Sequence, residues 1–331
     1  MNRIIRSTAV ATTLIVATAL AACSSPSDDS ADSAGGTTTV RMATLPWIGY
    51  GPWYIAEDQG IFASNDLAVE QTTFNTDADL NAAFISGKVD VANVATHTAL
   101  LMAQSGVPIK IVQIEDISTT ADAIVVPAGV DSVEDLKGLR IAYEQGTTSD
   151  LLLNYALSTV GMTLDDIVPV PMAASNAGAA LLGGQVDAAV TYEPYITTAL
   201  DQGGDFTLLF SAGELPGLIS DVLVVSDDYI ESNGDTVGAL VDSWGSAVKF
   251  YDSDTEGGRS IIADGVGEDA EALSTAFEGV SFYDSEENAS DLGGSFSTET
   301  IPLVLEAAES AGIITGDVDL DGLVDTQFVE N

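Results

Sequence analysis

Trp47, Tyr50, Trp53 and Tyr54 fall within eight positions of the chain. Rings this close can form a stacking wall for a flat ring or a cation, because an aromatic face carries negative potential. Trp53 and Tyr54 also fit the inward face of a helix that starts there. Farther on, Gly146-Thr147-Thr148-Ser149-Asp150 follows a strand-like run and opens a helix-like one. Its backbone N–H groups and hydroxyls can hold an anionic or carbonyl group, or simply cap the helix. Ala95-Thr96-His97-Thr98 offers a second helix start, and His97 is the only histidine. A lone histidine with no Ser or Cys in an activating motif is a poor basis for catalysis. Two carboxylates complete the constellation: Glu193 in Tyr192-Glu193-Pro194-Tyr195, and Asp221 at the head of the apolar run Val222-Leu223-Val224-Val225. A buried carboxylate in that position needs a partner. The expected ligand-binding set is Trp47, Tyr50, Trp53, Thr96, His97, Thr147, Thr148, Ser149, Tyr192, Glu193 and Asp221.

The basic residues bear on ligand charge by elimination. Lys88, Lys137 and Arg140 fall in turns or at strand starts, Lys110 starts a strand, and Lys249 and Arg259 lie in a helical tail. No arginine clamp for nitrate, sulfate or phosphate is visible. A ligand with an amine or a protonatable ring nitrogen fits better, for instance a taurine-like zwitterion whose acid end meets the turn at Thr147. The run from Asp317 to Asp325 has oxygen-bearing residues at alternate positions and Gly322 sixth, like the opening of a calcium loop. Its twelfth position is Phe328 where a bidentate Glu is required, so a plain acidic turn is expected. No cysteine or histidine cluster suggests zinc and no phosphate-binding loop is present, so neither a metal nor a cofactor is expected.

These residues must be placed by alternating strands and helices. Strand-like runs at Val40–Leu45, Val69–Phe74, Val89–Val94 and Ile109–Glu115 alternate with helix-like segments, and the rhythm returns at Arg140–Glu144, Ile167–Met172, Asp187–Tyr192 and Phe206–Phe210. That pattern calls for parallel sheets covered by helices, two α/β units in one chain. Ligands then bind beyond the carboxyl ends of the strands, which turns the loop after Leu45 toward a cleft. Two β-branched runs, Ala123–Val126 and Asp221–Val225, are candidates for crossing between the units. From about Tyr229 the chain is mainly helical and most simply returns to the first unit.

Composition narrows the function classes. With 51 acidic and 9 basic residues, nucleic acid is excluded as a natural partner, since phosphate backbones require Lys and Arg to replace their counterions. Charge of this size repels itself unless salt screens it, which points to a halophilic, high-salt setting. Arg3 and Arg6 precede an apolar stretch that ends in Leu20-Ala21-Ala22-Cys23, the layout of a secretory signal with a lipoprotein cleavage box. The only cysteine stands where a lipid would be attached. Residues 1–22 are therefore expected to be a signal peptide, Cys23 the lipidation site, and 23–39 a disordered tether too polar to join a core.

Five motifs follow in order: Trp47–Pro52, Ala56–Phe62, Ile85–Ala92, Asp135–Gly138 and Gly184–Val190. Together they resemble the nitrate/sulfonate/taurine-type solute-binding proteins, the family that also takes in synthases of the thiamine pyrimidine precursor. The resemblance implies a type II periplasmic-binding-protein fold, two α/β lobes joined by two crossover segments. Lobe I is expected over 40–116 and 224–331, and lobe II over 117–223. It further implies a monomeric, extracytoplasmic, lipid-anchored receptor that delivers a small solute to an ABC permease with a cytoplasmic ATPase. Pyrimidines, simple sulfonates and nitrate are alternative ligands. An enzyme or a ligand sensor on the same fold are alternatives of another class, and the signal and lone histidine argue against the enzyme.

If Cys23 carries the lipid, Cys23→Ala should move the protein from the membrane to the aqueous fraction with its fold intact, because the tether isolates the domain. Fractionation with an immunoblot checks this. Retention of the cleaved mutant on membranes contradicts lipidation at this position.

Overall fold

The computed structural model describes residues 37–202 and 205–330. Cys23, the expected signal and the tether through residue 36 lie outside the described residues. Thr38 and Thr39, expected in the tether, instead begin a strand and pair with Leu67 and Ala68. Their β-branched side chains suit a pleated surface.

The chain opens with β1 (Thr38–Thr44), a 3-10 turn over Ile48–Tyr50, α1 (Gly51–Asp58) and α2 (Ile61–Ser64). There follow β2 (Leu67–Thr73), α3 (Asp77–Ile85), β3 (Val91–Ala95), α4 (Thr96–Gln104) and β4 (Ile109–Ser118). A second series comprises β5 (Asp122–Pro127), β6 (Arg140–Tyr143), α5 (Thr148–Thr159), β7 (Val168–Pro171), α6 (Ala174–Leu182), β8 (Ala188–Tyr192), α7 (Tyr195–Asp201) and β9 (Phe206–Ser211). The last part contains β10 (Ser220–Ser226), α8 (Asp227–Ser253), α9 (Thr255–Val266), β11 (Val280–Phe282), α10 (Ser285–Asp291) and α11 (Ile301–Ser310). Among the described residues no helix is long and apolar enough to cross a membrane.

The strands form a six-stranded sheet of order β11-β4-β10-β3-β1-β2 and a five-stranded sheet of order β7-β6-β8-β5-β9. In the first, β1 is parallel to β2 and β3, and β10 is antiparallel to β3 and β4. In the second, β6 is parallel to β7 and β8, and β5 is antiparallel to β8 and β9. Each sheet thus holds one antiparallel strand drawn from the junction of the two series, β10 in the first and β5 in the second, and the first sheet adds antiparallel β11 at its edge. This is the two-lobed architecture, with two crossover segments, that the resemblance implies.

The crossings are shorter than the β-branched runs suggested. Ala123–Val126 lies wholly in the second sheet and Asp221–Val225 wholly in the first. The breaks between sheets fall at residues 119–121 and 212–219, so the expected boundary at 223/224 cuts through a strand. An apolar run satisfies its backbone best inside a ladder, not across a gap. The crossings also touch: Gly213 N–H donates to Thr119 O at 2.5 Å, and Ser118 N–H to Ile219 O at 3.0 Å. Thr119 N–H donates to Gly279 O at 2.8 Å. A Cβ at Gly279 would stand 2.6 Å from Thr120 Oγ1 and 2.8 Å from Ala121 N, so this approach requires glycine.

Both sheets are pinned in the same way just before β3 and β8, to the middle of β1 in one sheet and the first residue of β6 in the other. Arg41 N–H and Nε–H donate to Asp90 Oδ2 at 2.8 and 3.0 Å, and Arg140 N–H and Nε–H donate to Asp187 Oδ2 at 2.9 and 3.0 Å. In return Asp90 N–H donates to Arg41 O and Asp187 N–H to Arg140 O. The pins stand at the edge opposite the carboxyl ends of β1, β3, β6 and β8.

The helical tail completes the first lobe, as its pattern suggested. Trp244 of α8 packs on Trp53 of α1, ring centroids 4.9 Å apart, and Trp53 stacks on Phe62 at 5.9 Å. The residues from Asp317 onward lie along β4: Ile111 N–H donates to Leu323 O at 2.8 Å and Asp325 N–H to Ile111 O at 2.9 Å. A second clamp on β4 is Asn288. Ile114 N–H donates to Asn288 Oδ1 at 2.8 Å, and Asn288 Nδ2 donates to Ile114 O at 2.9 Å. One side-chain amide thereby does for Ile114 what a neighbouring strand would do, immediately before Glu115 and Asp116.

Asn288→Leu leaves both Ile114 backbone groups buried without partners. At about 1–3 kcal/mol for each orphaned group, urea unfolding should show a loss of about 2–4 kcal/mol. A loss below about 0.5 kcal/mol contradicts the clamp.

Candidate functional site

A narrow cavity of about 30 Å³, partly open to solvent, lies where the carboxyl ends of the parallel strands of both sheets meet. Leu45, Trp47, Tyr50, Asp77, Ala95, Ile219 and Asp221 line it from the first lobe, and Asp122, Thr148 and Tyr192 from the second. The topology dictates this gathering, because antiparallel β10 and β5 begin at the edge where β1, β3 and β8 end.

Of the residues expected from sequence, Trp47, Tyr50, Thr148, Tyr192 and Asp221 line the cavity. Trp47 meets Tyr192 edge-to-face across the lobes, centroids 5.9 Å apart at 85°. Its Nε1–H donates to Asp116 Oδ2 at 3.1 Å, and the Tyr50 hydroxyl donates to Asp221 Oδ1 at 2.6 Å. Gly49 lets these groups close up, since a Cβ there would overlap the Trp47 indole nitrogen and the Asp116 carboxylate.

The other expected residues do not line it. Trp53 is fully buried in the first lobe, where Nε1–H is shared by Asn93 Oδ1 at 3.0 Å and Glu115 Oε1 at 2.9 Å; the inward-facing reading of α1 prevails because the indole supplies a donor to buried acceptors. Thr96 Oγ1 donates to Ser220 O at 3.1 Å and fixes the start of β10. His97 is 1% exposed, and burial lowers its pKa to about 4 against the pull of the Gly146 carbonyl, so the ring is neutral. Thr147 caps α5 by accepting from Ser149 N–H, and Ser149 Oγ accepts from Glu144 N–H at 2.7 Å. Glu193 caps α7, taking Thr197 N–H at 3.0 Å and the Thr197 hydroxyl at 3.1 Å. These are local turn-closing roles, the ordinary use of Ser, Thr and acidic residues at helix starts.

Asp77 and Asp122 are the residues the sequence reading missed. Asp77 resembles any acidic residue in a first helical turn behind the Thr76 cap. Asp122 carries a legible signal: Asp122-Ala-Ile-Val-Val repeats the pattern of Asp221-Val-Leu-Val-Val. Both aspartates head the antiparallel strand of their sheet, so the inference made for Asp221 applies equally to Asp122.

The electrostatics are one-sided. Burial raises Asp221 to about 7 against the Tyr50 hydrogen bond. Burial raises Asp77 to about 7, with Glu144 and Asp221 adding repulsion, and Asp122 to about 8, with Asp221, Glu193 and Asp77 adding theirs. Behind the cavity, Glu115 and Asp116 are fully buried and held well above the usual carboxylate range, burial again leading. Asp122 Oδ2, Glu115 Oε2 and Asp116 Oδ1 are buried without hydrogen-bond partners. The described lysines and arginines lie elsewhere. Arg41, Lys110, Lys137 and Arg140 pair with Asp90, Asp227, Asp166 and Asp187; Arg259 covers the Phe277 ring; Lys88 and Lys249 are exposed.

A folded-state pKa above the unfolded value contributes stability at low pH that is lost as pH rises through the folded pKa. With Asp77, Asp122 and Asp221 raised to about 7, 8 and 7, the ligand-free melting temperature should fall from pH 5 to pH 8.5. Asp122→Asn should flatten that fall and stabilise the protein at pH 8.5 by an amount on the order of a few kcal/mol. A melting temperature that rises over this range contradicts the buried acidic cluster.

Comparison with known proteins supplies the relationship. The NMT1-like family matches residues 33–264. The taurine-binding periplasmic protein of Escherichia coli (strain K12) is 26% identical over 193 residues, covering 58% of this chain and 60% of its own. The chain spans about half the length of the curated relatives it matches. Among solved structures, the periplasmic aliphatic sulphonate binding protein SsuA from Escherichia coli superposes with TM-score 0.70 at 20% identity, covering 86% of this chain and 96% of that one. The periplasmic nitrate-binding protein NrtA from Synechocystis PCC 6803 gives 0.72 at 15% identity, covering 88% and 87%. At such identities the superpositions establish a shared periplasmic-binding-protein fold. With the family match over most of its length, the chain belongs to the NMT1-like family.

Proposed function

We propose that this protein is the solute-binding component of an ABC-type importer. It encloses a small amine-bearing solute between its lobes and presents the closed form to a permease with a cytoplasmic ATPase. The observation that carries this reading is the cavity itself, walled by Trp47, Tyr50 and Asp221 on one lobe and Asp122, Thr148 and Tyr192 on the other. A site split between lobes is filled only on closure, the arrangement a capture-and-deliver receptor uses. Aromatic walls with several carboxylates and no basic residue favour an amine over an anion. The relatives support the transport context, since their names refer to sulfonate, taurine and nitrate binding or import.

Lobe closure without covalent chemistry is the better reading than an enzyme. The only histidine is buried, neutral and outside the cavity lining. The receptor works outside the cytoplasm as a monomer held to the membrane through a lipid on Cys23, with no cofactor.

A thermal-shift screen of amines, amino-sulfonates, pyrimidines and simple anions, followed by small-angle scattering, tests the assignment. A ligand at 100 times its Kd adds about 2.7 kcal/mol to folding stability and should reduce the radius of gyration. Asp221→Asn should weaken an amine ligand by about 1.5–3 kcal/mol, tenfold or more in Kd. A screen in which no class stabilises or compacts the protein sinks the receptor reading.

A further inference from the structure

The helix starts at this cleft are the natural seats for an anion, since their free N–H groups and dipoles favour negative charge. In this chain carboxylates of its own sit at some of them, while the starts of α1 and α4 carry no side-chain cap. Just before α5, Gly146 N–H donates to Asp150 Oδ2 at 2.9 Å, which places that carboxylate beside the helix start. At the start of α6, Ala174 N–H donates to Glu144 Oε2 at 2.9 Å. Glu193 takes the corresponding place on α7, and Asp77 is itself the first residue of α3. A sulfonate or nitrate entering the cleft would find these seats filled by like charge. What remains open in the cavity is the reverse: Asp77, Asp122 and Asp221 with the aromatic faces of Trp47, Tyr50 and Tyr192.

A second observation points to a ligand. Asp122 is 5% exposed and lines the cavity; the Ser118 hydroxyl beside it works against the effect of burial, yet neither Asp122 Oδ2 nor Ser118 Oγ has a hydrogen-bond partner of normal geometry. Leaving a buried carboxylate oxygen unpaired is costly unless something donates to it. Among the described residues no group of three metal-ligating side chains converges as one metal ion would require. The acceptors are instead spread around the cavity, which suits a molecule with N–H donors pointing in several directions. Asp77 and Asp221 belong to the first lobe and Asp122 to the second. Unoccupied, like charges face each other across the cleft and oppose closure; a cation between them reverses the sign of that interaction.

Resting on the receptor reading, we propose that Asp77, Asp122 and Asp221 form a clamp for a compact organic cation bearing no acid group, and that the ligand's positive charge draws the two lobes together. This disfavours a taurine-like zwitterion as the preferred ligand, because its acid end would face Asp77, Asp122 and Asp221 with no basic residue in the lining. The cation also displaces protons. The groups facing the clamp are Glu115 and Asp116 of β4, Glu144 after β6, Glu193 after β8, and the hydroxyls of Tyr50, Tyr192 and Tyr195; none carries positive charge. With the clamp aspartates raised to about 7 and 8, binding at pH 7 releases protons, and affinity rises as pH increases from 6 to 8.5.

Three probes that share a two-carbon spacer decide the matter by titration calorimetry on the ligand-free protein: ethanolamine, a cation; taurine, a zwitterion; and isethionate, an anion. Ethanolamine should bind at least tenfold more tightly than taurine, and isethionate should not bind. The ethanolamine enthalpy should change with buffer ionisation enthalpy in the sense of proton release. Asp122→Asn and Asp77→Asn should each weaken ethanolamine tenfold or more, whereas the exposed-surface control Asp252→Asn should leave it unchanged. Both clamp variants remove repulsion, so folding is not in question. Taurine or isethionate binding more tightly than ethanolamine, Ca²⁺ binding more tightly than any of them, or an Asp122→Asn variant with unaltered ethanolamine affinity would overturn the clamp. If isethionate or nitrate binds and compacts the protein in scattering, the clamp falls while the receptor assignment stands. If no amine, zwitterion or anion binds, both fall.

Discussion

Negative charge gathered in one buried place, with no positive charge from the protein to meet it, is the constraint to which the rest of this structure answers. Asp77, Asp122 and Asp221 line a small cavity, with Glu115 and Asp116 behind it. The donors that reach them are neutral: the Trp47 indole to Asp116, the Tyr50 hydroxyl to Asp221, the Trp53 indole to Glu115. Neutral donors satisfy lone pairs but leave net charge in place, and buried net charge of one sign is relieved by binding protons or by binding a counter-charge. The site is therefore poised between those two states.

The distribution of basic residues sharpens this. A chain with 9 lysines and arginines against 51 acids has few cations to place. Two of them build the paired arginine–aspartate pins at the amino ends of β3, β6 and β8, and Lys110 and Lys137 take partners near the amino ends of β4 and β7. The strands then run from an edge where charge is paired to an edge where it is not. Surface ion pairs of this kind contribute little to stability, so their larger effect is on the field: they leave the cleft edge negative, with aromatic walls to limit screening.

Much of the fold was legible in the sequence, because strand and helix periodicities are local. Val40–Leu45, Ile109–Glu115 and Ala174–Leu182 coincide with β1, β4 and α6 to within a few residues. The lobe boundary was not, since an apolar run such as Asp221–Val225 reads the same whether it crosses between sheets or ends inside one. The site was half legible for a similar reason. Trp47 and Trp53 look alike in sequence, and only the turn at Ile48–Tyr50 puts one ring in the cleft and the other in the core. Thr147, Ser149 and Glu193 face their own helices instead of the cavity, a choice set by hydrogen-bond geometry that residue type does not encode. Asp77 was hidden by abundance: in so acidic a chain, one more carboxylate at a helix start carries little information.

A helix start in this scaffold is indifferent to where an anion comes from. A carboxylate supplied by the chain and an acid group supplied by a ligand satisfy the same N–H groups. Glu144 occupies such a position at α6 here. Once such positions are filled, the remaining lining sets the preference, and that lining is acidic. A backbone that superposes on a sulphonate binder with TM-score 0.70 thus carries no information about ligand charge. The sign is fixed at the few side chains that either vacate the helix starts or fill them, so ligand class in this fold is to be read from those positions before any overall likeness is weighed.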